Sequence, residues 1–383
     1  MTARSGVLTP YLGTAQDRRM VTDRILFQDP YDIAAYSYFG TDTGKFNFVN
    51  SPEYMYEWLE DTFEDRADTV STGFASDSTT TTCTVGTAAL YQPGDIWLVG
   101  TEKIWISAIS SSVITVTRGW GDSDSTTHAN SSVMTRIGRA RIDADDADDS
   151  PSTDISTGYN YTQILQRTIH VGRSKEKFAA YGVASWEDYL IDKNMKTLMM
   201  DLARLPYYGE RYAGSASVAR TAGGLGTFIT DNVTYATSTA ATGGTALALT
   251  RDHIDDTLTN IHADGGDPKL ILTVAHAQRK INDMYEGFVS TERSEQLGGV
   301  LIKKLMNPIT GGQLDVVVDR NCVSNELWIL ETSMIAYYPV DPFFFESLAK
   351  TGDAQKGEIV GEYGFIVANA KWHGAVKEFS TSL

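Results

Sequence analysis

The chain has 383 residues, with 32 Lys plus Arg against 49 Asp plus Glu and a formal net charge of −17 when histidine is neutral. That length suits two or three packed units, while so acidic a surface repels polyphosphate and excludes DNA binding by clustered cations. Cys83 and Cys322 are the only cysteines, so one disulfide is arithmetically possible, but a cysteine framework or a paired-cysteine metal site is not.

From Met1 to Met20 charge is scattered and no apolar core develops, so the start does not read as a signal peptide. No apolar run reaches the ~20 residues that cross a bilayer, and no membrane partner is expected. Residues 1–52 read as an extended arm punctuated by Gly, Pro, Thr and Asp. Its apolar clusters, Ile25–Phe27 and Tyr36–Phe39, are too short for a core of their own. Next, Tyr54, Tyr56 and Trp58 alternate, which predicts a strand.

Composition changes from Ser76 to Gly138, a stretch rich in Thr, Ser, Val, Ile and Gly. Asp95–Val99, Lys103–Ile109 and Val113–Thr117 read as strands bounded by Pro93-Gly94 and Arg118-Gly119 turns. They predict a small all-β module inserted into the element before it. The run Asp143–Ser150 reads as a solvated acidic linker. Ser185 and Asp188 form an N-cap pair, and Trp186, Leu190, Met195, Leu198, Met199 and Leu202 then space one long amphipathic helix. Pro206 is expected to stop or kink it. Beyond, Thr250–Ala263 and Ala275–Tyr285 read as helices around a buried strand at Lys269–Thr273. Leu314–Val318, Leu327–Ile335 and Gly364–Ala368 read as strands, giving an α+β chain with a β insertion.

No motif announces chemistry. GTDTGKF (Gly40–Phe46) is one spacer residue short of a phosphate loop and places Phe46 where a hydroxyl should hold magnesium. AGGLGTF (Ala222–Phe228) lacks dinucleotide spacing, and its glycines suit a close backbone crossing. Asp143, Asp145, Asp146, Asp148 and Asp149 lack the glycine and distal glutamate of a calcium loop. The six histidines (His128, His170, His253, His262, His276 and His373) form no ligand pattern, and His253 and His262 read as surface or capping residues. No serine sits in GxSxG and neither cysteine has a histidine nearby in sequence. Catalytic residues, cofactors and metal ligands are each expected to be none. Sequons at Asn130, Asn160 and Asn232 carry no expectation of glycosylation.

Taken in order, the segments resemble the tailed-bacteriophage major capsid proteins of the Hong Kong 97 fold, in the branch with a β-domain inserted in the extended loop. Phe27–Gly40 resembles the family's arm, Tyr56–Asp61 the outgoing strand of its extended loop, and Gly158–Gly172 the return strand. PGDIWLV, ITVTRGWG and HANSSVMTRIG resemble the inserted module, LTRDHIDDTLTNIHADGGDPKLILT and LDVVVDRNC the axial domain, and Glu346–Val376 the closing β segment. The resemblance implies an arm at 1–52 and an extended loop at 53–75 and 139–172. It further implies an inserted domain at 76–138, a peripheral domain with a spine helix at 173–214 and 341–383, and an axial domain at 215–340.

Its functional implication is a non-enzymatic subunit that self-assembles into hexamers and pentamers of an icosahedral head enclosing double-stranded DNA without sequence-specific binding. Assembly is implied in the host bacterial cytoplasm, with scaffolding, portal and decoration proteins as further partners. Because no long segment precedes the arm, any scaffold is expected to be a separate chain. The Lys, Asn and Glu of the intersubunit isopeptide bond made by some members of the fold have no mapped positions in this chain, and the bond is not predicted in either sense. Other readings are a decoration or tail subunit, suggested by the β module alone, and a soluble enzyme with convergent residues. An isolated two-stranded ribbon is marginal in water, so the rings it carries are expected to lie on a neighbour, as is the arm. Phe27, Tyr36, Phe39, Tyr54, Tyr56 and Trp58 are therefore the candidate interface residues.

Overall fold

The computed structural model describes residues 31–381 except 42–45, 47–52, 73, 75–77, 141–142, 144–154, 179–182, 286–288, 294–300 and 351, with the backbone alone at 289–293 and 301–303. The chain forms two compact units, Leu59–Thr157 and a larger one made of Met1–Trp58 with Gly158–Leu383.

In chain order come α1 (Ala34–Phe39), β1 (Met55–Glu60), β2 (Ala67–Thr72), β3 (Thr82–Val85), β4 (Asp95–Val99), β5 (Glu102–Ser110), β6 (Val113–Thr117) and β7 (Val133–Arg139). Then follow β8 (Ser156–Tyr161), β9 (Gln163–Gly172), α2 (Arg173–Lys177), α3 (Trp186–Tyr208), α4 (Leu225–Phe228), β10 (Val233–Tyr235), α5 (Arg251–Ala263), β11 (Leu270–Thr273) and α6 (Ala275–Met284). The chain closes with β12 (Val289–Arg293), β13 (Leu301–Met306), β14 (Gln313–Val318), β15 (Glu326–Leu330), β16 (Ile335–Leu348), β17 (Ala354–Val367) and β18 (Gly374–Lys377).

The smaller unit is a closed barrel in the order β2-β3-β6-β5-β4-β7. Alternate residues point inward, and Val70, Phe74, Trp97, Ile104, Ile106, Ile114 and Met134 are fully buried. The module therefore begins at β2 rather than at residue 76. Val70 and Phe74 belong to the barrel core, and the Asp and Thr residues around them hide that in a composition scan.

The larger unit carries a seven-stranded mixed sheet, β10-β18-β15-β11-β14-β13-β12. Helices α5 and α6 cover one face through Ile254, Leu258, Ile261, Ala277 and Ile281. The end of α3 and the start of α4 cover the other through Leu202, Leu205 and Leu225. With both faces buried, neighbouring residues point to opposite cores, Ile271 to one and Leu270 with Leu272 to the other. That is why LILT and ELWIL are continuous apolar runs and not alternating ones.

A three-stranded sheet, β16-β17-β9, supports α3. Leu198, with Leu190, Ile191 and Met195, packs on Ile169, Val171 and Ile359. Ser185 caps α3 by accepting from the Asp188 amide at 3.2 Å, with Glu187 and Asp188 in the first turn where the helix dipole favours them. Pro206 does not end the helix, which runs on to Tyr208. Proline lacks the amide that should bond the Leu202 carbonyl, and the Tyr337 hydroxyl supplies the missing donor at 3.3 Å.

Candidate subunit interface

Strands β1 and β8 pair as a two-stranded ribbon. The rings of β1 do not wait for a neighbour. Tyr56 and Trp58 are 5% and 6% exposed within their own chain, so the premise that the ribbon leaves them uncovered is corrected. Two glycines make the room. A Cβ on Gly158 would lie 2.5 Å from the Trp58 indole, and one on Gly364 would enter the Tyr56 ring. The Tyr56 hydroxyl accepts from the Phe365 amide at 2.7 Å and donates to its carbonyl at 3.0 Å. Burial raises its pKa, so the phenol stays protonated and keeps its donor.

Asn160 extends the same clamp. Its amide donates to the Gly223 and Phe365 carbonyls and its oxygen accepts from the Gly223 amide at 2.9 Å. The AGGLGTF glycines thus serve a backbone crossing; a Cβ on Gly224 would press on the Pro206 and Leu205 carbonyls. Asn160 is fully buried and Asn232 nearly so, which removes both sequons as acceptors.

The arm residues are likewise taken up. Phe39 is 1% exposed, its ring 5.7 Å from Phe365 and 6.3 Å from Tyr337. Tyr36 is half-buried with its ring 5.1 Å from Tyr337. A fully buried carboxylate, Asp319, fastens α1 to the end of α3: it accepts from the Ala35 and Asn321 amides and, at 2.9 Å, from the Tyr207 hydroxyl. Burial raises its pKa against those donors. Phe27 lies outside the described residues.

Of the candidates among the described residues, Tyr54 alone faces outward, 58% exposed and stacked on Tyr161 at 6.5 Å. It borders a shallow cavity of about 380 Å³ with Ile164, Val218 and Arg220. Ile164 and Val218 are about half exposed. Sequence reasoning missed both; the only signal is that Ile164 sits next to Leu165, which faces α3, so the pleat turns it outward.

Buried charge elsewhere is spent on folding. In the barrel the Glu102 carboxylate has no exposed surface and binds Arg118 at 2.7 Å and His128 at 2.9 Å. It also accepts from the Gly119 and Thr126 amides. Burial works against its charge, but the donors from Arg118, Thr126, His128 and Gly119 outweigh it and hold the carboxyl down at about 2. His373, fully buried, accepts from the Glu331 amide and donates to the Ala368 carbonyl, both at 3.1 Å, while burial lowers its pKa to about 4. His253 caps α5 through Thr250. Cys83 and Cys322 are both free and buried, the first pushed up to about 12 by burial, so neither is a nucleophile. Among the described residues no three His, Cys, Asp or Glu side chains stand together as metal ligands. Nor, among them, is any helix long and apolar enough to cross a membrane.

The profile of the family described as SU10 major capsid protein matches residues 8–380. No curated protein sequence matches the chain. Among solved structures, a chain of the capsid of Myoviridae phage XM1 is similar at 8% identity and TM-score 0.48, covering 98% of this chain and 100% of that one. A chain of Mycobacterium phage Bobi is similar at 9% identity and TM-score 0.47, covering 94% and 95%. The holo-SrpI encapsulin complex of Synechococcus elongatus PCC 7942 gives 8% identity and TM-score 0.44, covering 60% of this chain and 79% of that one.

Proposed function

The chain belongs to the SU10 major capsid protein family and is a structural subunit of a virus head built from many copies of itself, and we propose that its copies form hexamers and pentamers clasped by the arm and the extended loop. The carrying observation is the match over residues 8–380, which spans the barrel and the mixed sheet alike.

Within this reading the expected domains are redrawn. The insert starts earlier, β9 passes from the extended loop and the start of β16 from the axial domain to the peripheral domain, and β18 passes from the peripheral domain to the axial sheet. The arm is 1–52, the insert runs from β2 to β7, and the ribbon β1–β8 is the stem of the extended loop. The peripheral domain holds α3 with β9, β16 and β17, and the axial domain holds the seven-stranded sheet. What the ribbon offers a neighbour is narrower than its three rings. Tyr56 and Trp58 stiffen it, whereas Tyr54, with Ile164 and Val218, supplies apolar area worth ~25 cal/mol per Å² when covered. Heterologous contacts of this kind close into rings, and weak contacts suffice when each subunit makes many. The subunit has no catalytic role, assembles in the host cytoplasm, and works with scaffolding, portal and decoration proteins.

The net charge of −17 supports an inner wall that encloses DNA without gripping it. Electron microscopy of the protein expressed alone or with its scaffold tests the reading. Closed shells, capsomer rings or curved sheets are expected. A small monomer or dimer unchanged by concentration and scaffold would sink it, and tight salt-sensitive DNA binding by subunits would sink the non-adhesive wall.

A further inference from the structure

Trp120 stands at the surface of the smaller unit, 38% exposed and the most exposed of the chain's seven tryptophans. Its ring lies 5.2 Å from that of Trp105 with 19° between the planes, so the two indoles stack. Trp105 is on β5, where Ile104 and Ile106 point into the barrel core and Trp105 therefore points out. Register sets what surrounds it. Ile96 on β4 and Thr117 on β6 lie directly across from it, and Lys103 and Ser107 flank it along β5 on the same face.

Buried charge holds the loop that carries Trp120. The Glu102 carboxylate accepts from the Arg118 guanidinium and from the Gly119 and Thr126 amides. The Trp120 amide donates to the Lys103 carbonyl at 2.8 Å, and the Ser123 hydroxyl donates to the Trp120 carbonyl at 2.9 Å. Gly119 and Gly121, at φ of 58° and 71°, bracket the ring in the left-handed region that favours glycine. A Cβ on Gly119 would fall 2.9 Å from the Ser123 carbonyl. An indole fixed at the surface in this way is preorganised, and a ligand that covers it pays little further ordering cost.

Two observations select the ligand. Residues 59–157 carry 16 acidic against 6 basic side chains, which disfavours phosphates and other polyanions. Lys103 beside the rings repels a cation. What remains is a neutral ligand with one apolar face and polar groups at its edge. The rim suits hydroxyls, which both donate and accept: the Lys103 ammonium only donates, and the Ser107 and Thr117 oxygens can accept. The apolar face is met by the indole, whose electron-rich surface attracts polarised C–H bonds.

We propose that the Trp105–Trp120 pair binds a pyranose ring of a neutral glycan, with Lys103, Ser107 and Thr117 meeting its hydroxyls. One ring bound on an open platform is a weak contact, and a shell of many copies multiplies it.

Biolayer interferometry of the full-length protein, as free subunit or particle, on immobilised mannan, dextran, laminarin and galactan tests this. At least one of these neutral polymers is expected to bind, and the anionic polymer alginate is not. Trp120→Ala is expected to raise the dissociation constant of the free subunit by about 10-fold, and Trp120→Phe, which keeps a ring, by less. A second measurement needs no variant. The bound polymer should slow oxidation of Trp120 by N-bromosuccinimide, read by peptide mass spectrometry, and leave that of the half-buried Trp186 unchanged. Binding to none of the four, equal binding to alginate, affinity that survives Trp120→Ala, or an unprotected Trp120 overturns the proposal, and each leaves the shell reading standing.

Discussion

The barrel and the seven-stranded sheet solve the same problem at opposite ranges along the chain. Every barrel strand pairs with partners inside residues 67–139, all antiparallel, and closure leaves no open edge. The mixed sheet seats its last strand, β18, between β10 and β15, pairing Val233 with Ala375 and Trp328 with Ala375. One unit can fold from a continuous segment, and the other waits for the C-terminus. The difference teaches where each unit is fragile.

The largest effect is expected from ending the chain after Val367, which removes β18 and the buried His373, Ala375, Val376 and Phe379. The mixed sheet should unfold, while hydrogen exchange still protects the barrel amides. Loss of protection in both units together would show that the barrel depends on the sheet.

Glu102→Ala reverses the target. It leaves the Arg118 guanidinium, 4% exposed and stacked 4.2 Å over Phe74, without its carboxylate. A loss of about 3–5 kcal/mol is expected, confined to the barrel. Denaturant unfolding followed at the barrel should shift, and that of the mixed sheet should not.

Acid separates the two units without mutation. His373 has a folded pKa lowered to about 4 against about 6.5 unfolded. Between those values the unfolded chain binds more protons, so stability falls as pH drops through the window, by about 3 kcal/mol for this group. Glu102 is also depressed, but its contribution is fully present above its unfolded value near 4.5 and is lost only as pH falls toward about 2. The mixed sheet should therefore soften first as pH falls from 6.5 to 4, and His373→Asn should flatten its stability profile over that range. Equal softening of both units would contradict the assignment.

The smallest contrast lies along one strand. Tyr56→Phe removes the donor and acceptor of Phe365 and should cost about 1–3 kcal/mol in the free subunit. Tyr54→Ser should cost within about 0.5 kcal/mol there, as surface changes do, and its effect should appear only in assembly. Calorimetry of free subunit against particle distinguishes them.

The same contrast decides what was legible in the sequence. Barrel strands at 95–99 and 113–117 follow from alternation and turn residues, because sheet pairing there is local. The β2 strand escaped because ADTVST buries only Val70 fully. Helix α3 was legible from its spacing and its Ser185 cap, but its end was not, since the donor that carries it past Pro206 is Tyr337, distant in sequence. The interface candidates show the limit most clearly. Alternation of Tyr54, Tyr56 and Trp58 gave the strand, yet which ring stays outside is set by Gly158 and Gly364.

The ribbon also bears on how such a chain changes over generations. The backbone leaves along β1 and returns along β8, and the Ser156 hydroxyl donates to the Glu60 carbonyl at 3.1 Å. Departure and return are thus close enough for a short turn to bridge them. Everything between them is a cassette that can be lost, exchanged or replaced by foreign sequence at one locus, without re-registering any strand of the seven-stranded sheet. A lineage can vary what this segment presents while keeping its lattice, and an engineer can use the same splice to array a cargo on every subunit.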